Sequence, residues 1–76
     1  MQEIENIWIS ARVGANIRSA RSEKGLSQLD LAERVNASQP QIAAYEQGEK
    51  DIPLSRLFEI AEHLDVTVAD LFDGDK

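Results

Sequence analysis

Apolar residues recur along this chain at intervals of three and four, and the rhythm breaks at Gly25, Asn36, Gly48 and Asp65. Between the breaks, five groups fall at helical spacing: Val13/Ile17/Ala20, Leu31/Val35, Ile42/Tyr45, Leu57/Ile60/Ala61/Leu64 and Val68/Leu71/Phe72. Glycine, and more rarely Asn and Asp, can adopt the left-handed conformation that ends a helix, so each break reads as a stop. Start signals follow three of the stops: Ser27-x-x-Asp30, Ser38-x-x-Gln41 and Thr67-x-x-Asp70. In each, the hydroxyl accepts from an orphan backbone N–H, and the acid or amide three residues on reaches back. After Gly48, Pro53 suits the first turn of a helix, where its missing N–H would have no partner anyway. The pattern predicts an all-α fold of five helices, at about 10–24, 28–35, 39–47, 53–64 and 68–72, with no strand, repeat or low-complexity run.

The start of the chain reads in two ways. If the first helix runs back through it, Ile9 extends the stripe of Val13 and Ile17, while Ile4, Ile7, Trp8, Ala11 and Ala15 line the opposite side. A second apolar stripe with no core to cover it marks a partner surface, which makes Ile4, Ile7, Trp8 and Ala11 the expected dimer contact, with the Leu71-Phe72 end of the fifth helix as the alternative. The alternative is that Ser10 caps the helix and residues 1–9 fold back over the core. The chain then divides into an N-terminal extension (1–9), a folded domain (10–72) and an acidic tail (73–76).

Only Asn36-Ala37-Ser38 joins the second and third helices, which forces them to cross steeply in a helix-turn-helix. On a wheel of about 100° per residue, Ile42, Tyr45 and Glu46 of the third helix share the inward arc. Pro40, Ala43, Ala44 and Gln47 face out, flanked by Gln39 and Gln41. An outward face without Lys or Glu suits approach to base edges, since amides pair with adenine and Ala can meet a thymine methyl. Glu46 carries a charge toward the core and needs a partner there.

Over residues 13–72 the sequence resembles the lambda-repressor-like, Cro/C1-type (XRE) DNA-binding domain. The resemblance rests on Gly25-Leu-Ser-Gln28, Leu31-Ala32, Glu46, Gly48 and the Ile60-Ala61 helix followed by Leu64-Asp-Val66. It implies a compact five-helix fold in which Gln39, Pro40, Gln41 and Ala44 face bases, Gln28 meets a phosphate, and Arg21 is the partner of Glu46. Ser38, Lys50 and Arg34 are the further phosphate-side candidates. Lys50 stands between Glu49 and Asp51, a departure from the several bases common at that place in the family.

Charge complicates this picture. Fourteen acidic against eight basic residues give the 76-residue chain a net charge of −6, which opposes non-specific attraction to nucleic acid. The acids Asp65, Asp70, Asp73 and Asp75 cluster in the last stretch, away from the motif. With no cysteine and a single histidine, His63, set off the apolar stripe and expected to be solvated, neither a thiolate nor a histidine metal site can be assembled. Ser27 and Ser38 have no base implied beside them and read as caps, not nucleophiles. The expectation is a non-enzymatic, cofactor-free, cytoplasmic regulator of transcription that binds operator DNA as a homodimer, with RNA polymerase or another protein as a further partner. The competing expectation is an antitoxin-like or adaptor module whose main partner is a protein.

Overall fold

The computed structural model describes residues 2–73, with 2–9 and 73 described as helix backbone alone. Five helices make up the fold: α1 (Gln2–Glu23), α2 (Gln28–Arg34), α3 (Gln39–Glu46), α4 (Leu54–His63) and α5 (Val68–Asp73). Among the described residues there is no strand, and no helix is long and apolar enough to cross a membrane.

The stops lie where local chemistry puts them. Gly25, Asn36, Gly48 and Asp65 have φ of 76°, 59°, 74° and 59°, the left-handed turn at the end of each of the first four helices. All three hydroxyl boxes close: Ser27 with Asp30, Ser38 with Gln41 and Thr67 with Asp70 each exchange two backbone–side-chain hydrogen bonds. Pro53 sits one place earlier than its sequence suggests, at the N-cap of α4, with no side-chain cap of its own.

The first helix is longer than the predicted 10–24 and follows the reading in which it runs back through the start of the chain. Its backbone is helical from Gln2, not from residue 10, so Ser10 caps nothing and the N-terminal residues do not fold back. Ser10 instead lies inside the helix and donates its hydroxyl to Asp51 Oδ1 at 3.0 Å, tying α1 to the loop after α3. The side chains of Ile4, Ile7 and Trp8 lie outside the described residues. Ala11 is exposed and stands against the Gly48 turn.

Each helix contributes one of the five largest fully buried side chains: Ile17, Leu31, Ile42, Ile60 and Leu71. Val13, Ala32, Val35, Tyr45, Leu57, Ala61 and Leu64 complete the core around them. Phe72, expected in the α5 stripe, is 45% exposed, because the short helix turns Leu71 inward and leaves its neighbour outside. Helix α3 packs chiefly on α1 and α2, and α5 on α1. The third helix is thus held by two others while its remaining side stays open.

Candidate nucleic-acid interface

The open side of α3 carries no charge. Gln39, Pro40, Gln41 and Gln47 are exposed and Ala43 and Ala44 half-buried, while Ile42, Tyr45 and Glu46 are buried against α1 and α2. At the start of the helix, Ser38 Oγ accepts from the backbone N–H of Gln41 at 3.2 Å. The Gln41 side-chain oxygen accepts from the N–H of Ser38 at 3.0 Å. That cap occupies the oxygen of Gln41, so in this state only its amide N–H group is free. Gln41 can donate to a base acceptor, but it cannot offer the donor–acceptor pair that adenine requires unless the cap opens.

Two glycines bring α3 close to α1. A Cβ at Gly14 would stand 2.2 Å from the carbonyl oxygen of Tyr45 and 2.7 Å from that of Glu46, so only glycine permits this approach. Gly48 turns the chain just past α3, and a Cβ there would come within 2.7 Å of the Ala11 backbone. Gly14 was not foreseen as a site residue. Its signal was a glycine within a helical pattern, where it costs about 1 kcal/mol relative to alanine and calls for a packing reason.

Glu46 is held where its inward direction demands. Arg21 donates Nε to Glu46 Oε2 at 2.6 Å, Nη2 to Oε1 at 3.1 Å and Nη1 to the Leu26 carbonyl at 2.8 Å. Only 2% of the Glu46 side chain and 12% of the Arg21 side chain is exposed, so this two-pronged pair joins α1 to α3 inside the domain. Gln28, at the start of α2, is half-buried and directed toward this pair, with Nε2 donating to Glu46 Oε1 at 3.0 Å. Its oxygen accepts from Gln39 Nε2 at 3.3 Å. Arg21, Glu46, Gln28 and Gln39 are therefore one connected group, of which the last is exposed.

The remaining candidates are scattered around this centre. Arg34, in the last turn of α2, is exposed and lowers the pKa of Asp30 below the ordinary aspartate value, as a smaller contribution beside the hydrogen bonds from Ser27. Lys50 is exposed. Arg56 was not foreseen: half-buried on α4, it donates to the carbonyl of Val35 and closes the end of α2. His63 is half-buried, not fully solvated. Among the described residues no group of His, Cys, Asp or Glu is arranged to hold a metal ion.

These elements define a helix-turn-helix domain: α2 and α3 joined by a tight turn, with α3 fixed by its inner side and open on its outer one. A profile of the helix-turn-helix family HTH_3 matches residues 17–71, and the chain belongs to that family, of the Cro/C1-type (XRE) regulators. A protein of Rhodospirillum rubrum named as a transcriptional regulator in the ATPase CF(0) region is 39% identical over 71 residues, covering 88% of this chain and 66% of its own length. An HTH-type transcriptional regulator of Rickettsia conorii is 38% identical, covering 87% of this chain and 53% of its own. The chain thus spans only about half to two-thirds of these curated relatives. Among solved structures, the clp gene regulator ClgR of Corynebacterium glutamicum superposes with a TM-score of 0.81 at 30% identity, covering 83% of this chain and 67% of its own. The restriction-modification controller protein C.AhdI of Aeromonas hydrophila superposes with 0.82 at 27%, covering 87% and 96%.

Proposed function

We propose that the chain is a sequence-specific DNA-binding regulator of transcription, cytoplasmic and without enzymatic activity, that occupies an operator as a dimer through α3. The observation that carries this reading is the uncharged, open face of α3 on a helix fixed from behind by a buried ion pair. Small residues let a helix axis come close to base edges, and the amide of Gln39 can pair with one. In this reading Gln39, Pro40, Gln41 and Ala44 meet bases. Gln28, Ser38, Arg34 and Lys50 lie toward phosphates, which position the domain without reading sequence.

A single recognition helix reads few base pairs, so a two-fold pair on half-sites about 34–36 Å apart is required for useful specificity. The apolar row Ile4, Ile7, Trp8 and Ala11 is the proposed contact between the copies. Leu54 and Phe58, one turn apart on α4 and 63% and 56% exposed, offer a second row.

The net charge of −6 favours a second reading, a protein-binding module with little DNA affinity. Fluorescence anisotropy on the DNA upstream of its own gene separates the two. Gln39→Ala is expected to weaken the specific site by about 1–3 kcal/mol and leave non-specific binding nearly unchanged, while Ala44→Glu abolishes both. If both variants bind every duplex as the parent does, α3 does not read DNA and the module reading stands.

A further inference from the structure

Along its 22 residues, α1 is sorted both by charge and by size. Residues 2–9 hold Glu3 and Glu5 and no base, whereas residues 10–22 hold Arg12, Arg18 and Arg21 and no acid. Positions 4, 8, 11, 15 and 18 follow one another at alternating steps of four and three, so on one continuous helix they form a single row. The row begins with the bulky Ile4 and Trp8 and continues through Ala11 and Ala15 to Arg18, the last three exposed. We propose that this row is a self-complementary surface on which α1 of a second copy docks antiparallel, with position 8 of each chain over position 11 of the other and position 4 over position 15. This rests on the reading of α1 as the contact between copies and gives that contact its direction.

Size and charge choose the same direction. In an antiparallel pair related by a two-fold axis, the bulky half of each row lies on the small half of the other, so every layer joins one large and one small side chain. A parallel pair would set Trp8 on Trp8 and leave Ala15 facing Ala15 across a gap. Beside the row, the helical register places Glu5 and Arg12 on one flank and Glu3 and Arg18 on the other. The two-fold of an antiparallel pair keeps like flanks together, which brings Glu5 toward Arg12 of the second copy and Glu3 toward its Arg18; a parallel pair sets acid beside acid and base beside base. Acids near a helix start also suit the helix's own dipole, but the dipole gives no reason for the order of large and small residues. The apolar row on α4 is a poorer seat. Leu54 and Phe58 are bordered by the exposed Glu59 and Glu62, so an end carrying Glu3 and Glu5 would meet like charge there. Residues 10–21 of α1 are fastened to α3 and the loop after it by the Ser10–Asp51 hydrogen bond, the close approach at Gly14 and the Arg21–Glu46 pair. Docking of α1 on α1 therefore also sets the separation and orientation of the two α3 helices.

The chain has no cysteine, which permits a direct test on the whole protein. Ile4→Cys and Ala15→Cys together are expected to give a disulfide-linked dimer on mild oxidation, because each introduced thiol then faces the other kind across the two-fold. Either substitution alone should give almost none, since like positions stand about 16 Å apart along the paired helices. Glu3→Lys or Arg18→Glu is expected to weaken the dimer about five- to tenfold in sedimentation. The two together should restore it to within about twofold, a rescue that a general loss of stability would not give. The pairing is overturned if a single cysteine variant cross-links as readily as the double one, which marks a parallel pair, or if Ile4→Cys links to Phe58→Cys and not to Ala15→Cys, which marks α4 as the seat. It is overturned as well if the parent sediments as a monomer, even one that still selects its operator, in which case the reading of α3 is kept. An oxidised double-cysteine dimer that selects no DNA sequence has the reverse meaning: the pairing stands and the DNA-binding reading falls.

Discussion

Glu46 is a charge the interior would reject without company, and its company is bound by three separate acceptor atoms. Removing one member of such a pair leaves the other buried and uncompensated, at a cost of about 3–5 kcal/mol. Glu46→Ala and Arg21→Ala are each expected to lower stability by that amount in urea denaturation. The double variant should lose markedly less than the sum, because the second removal takes away an already orphaned charge. Asp65 stands at the opposite extreme, exposed in the turn after α4 and held below the ordinary aspartate value by its hydrogen bond and attraction to Lys24. A carboxyl whose folded pKa is lowered stabilises the fold fully above its unfolded value, and that contribution is lost as pH falls through the lowered one. The stability difference between the parent and Asp65→Asn should therefore be constant above about pH 5 and shrink below about pH 4. Asn is the suitable replacement because it tolerates the φ of 59° at this position.

At the level of elements, the contact between α1 and α3 depends on an absent side chain. Gly14→Ala should strengthen α1 as an isolated helix yet destabilise the domain by about 1–3 kcal/mol, because the added methyl meets the Tyr45 and Glu46 carbonyls. Thermal unfolding checks this, and an unchanged or raised midpoint would mean that α3 can move aside freely. Gly14 also marks the boundary of what sequence can tell. The helix ends at Gly25, Asn36, Gly48 and Asp65, and the three hydroxyl boxes, are legible because they are made by residues within a few positions of one another. The inward direction of Glu46 is legible because periodicity fixes faces. What Gly14 touches, what Arg56 closes and where Gln28 turns are set by residues 18 to 32 positions away, and no local pattern encodes them. Phe72 was misplaced for a related reason: a helix of six residues has too few positions for its stripe to decide which apolar residue faces inward.

For the molecule as a whole, a net charge of −6 and a single base, Lys50, in the stretch 36–53 that holds α3 set the expected character of DNA binding. With about 2–4 phosphates neutralised per subunit, log K should fall against log salt with a slope of roughly −2 to −4 per subunit. Anisotropy across a salt series measures this, and a much steeper slope would mean that bases outside the 36–53 stretch also meet phosphate. Assembly is tested by sedimentation of Trp8→Glu and Phe58→Glu. Whichever becomes monomeric while keeping its helical signal marks the contact, and operator affinity should fall with it. One consequence of the packing concerns time. Helix α3 has eight residues, too few to persist alone in water. Its inner side is shared with α1 and α2, so it cannot open without dismantling the core. Its slowest amide hydrogens, like those of central α1, should therefore exchange with solvent only through global unfolding. Each encounter with DNA is then made by a helix already formed, and the speed of association is governed by diffusion and charge instead of by folding on the duplex.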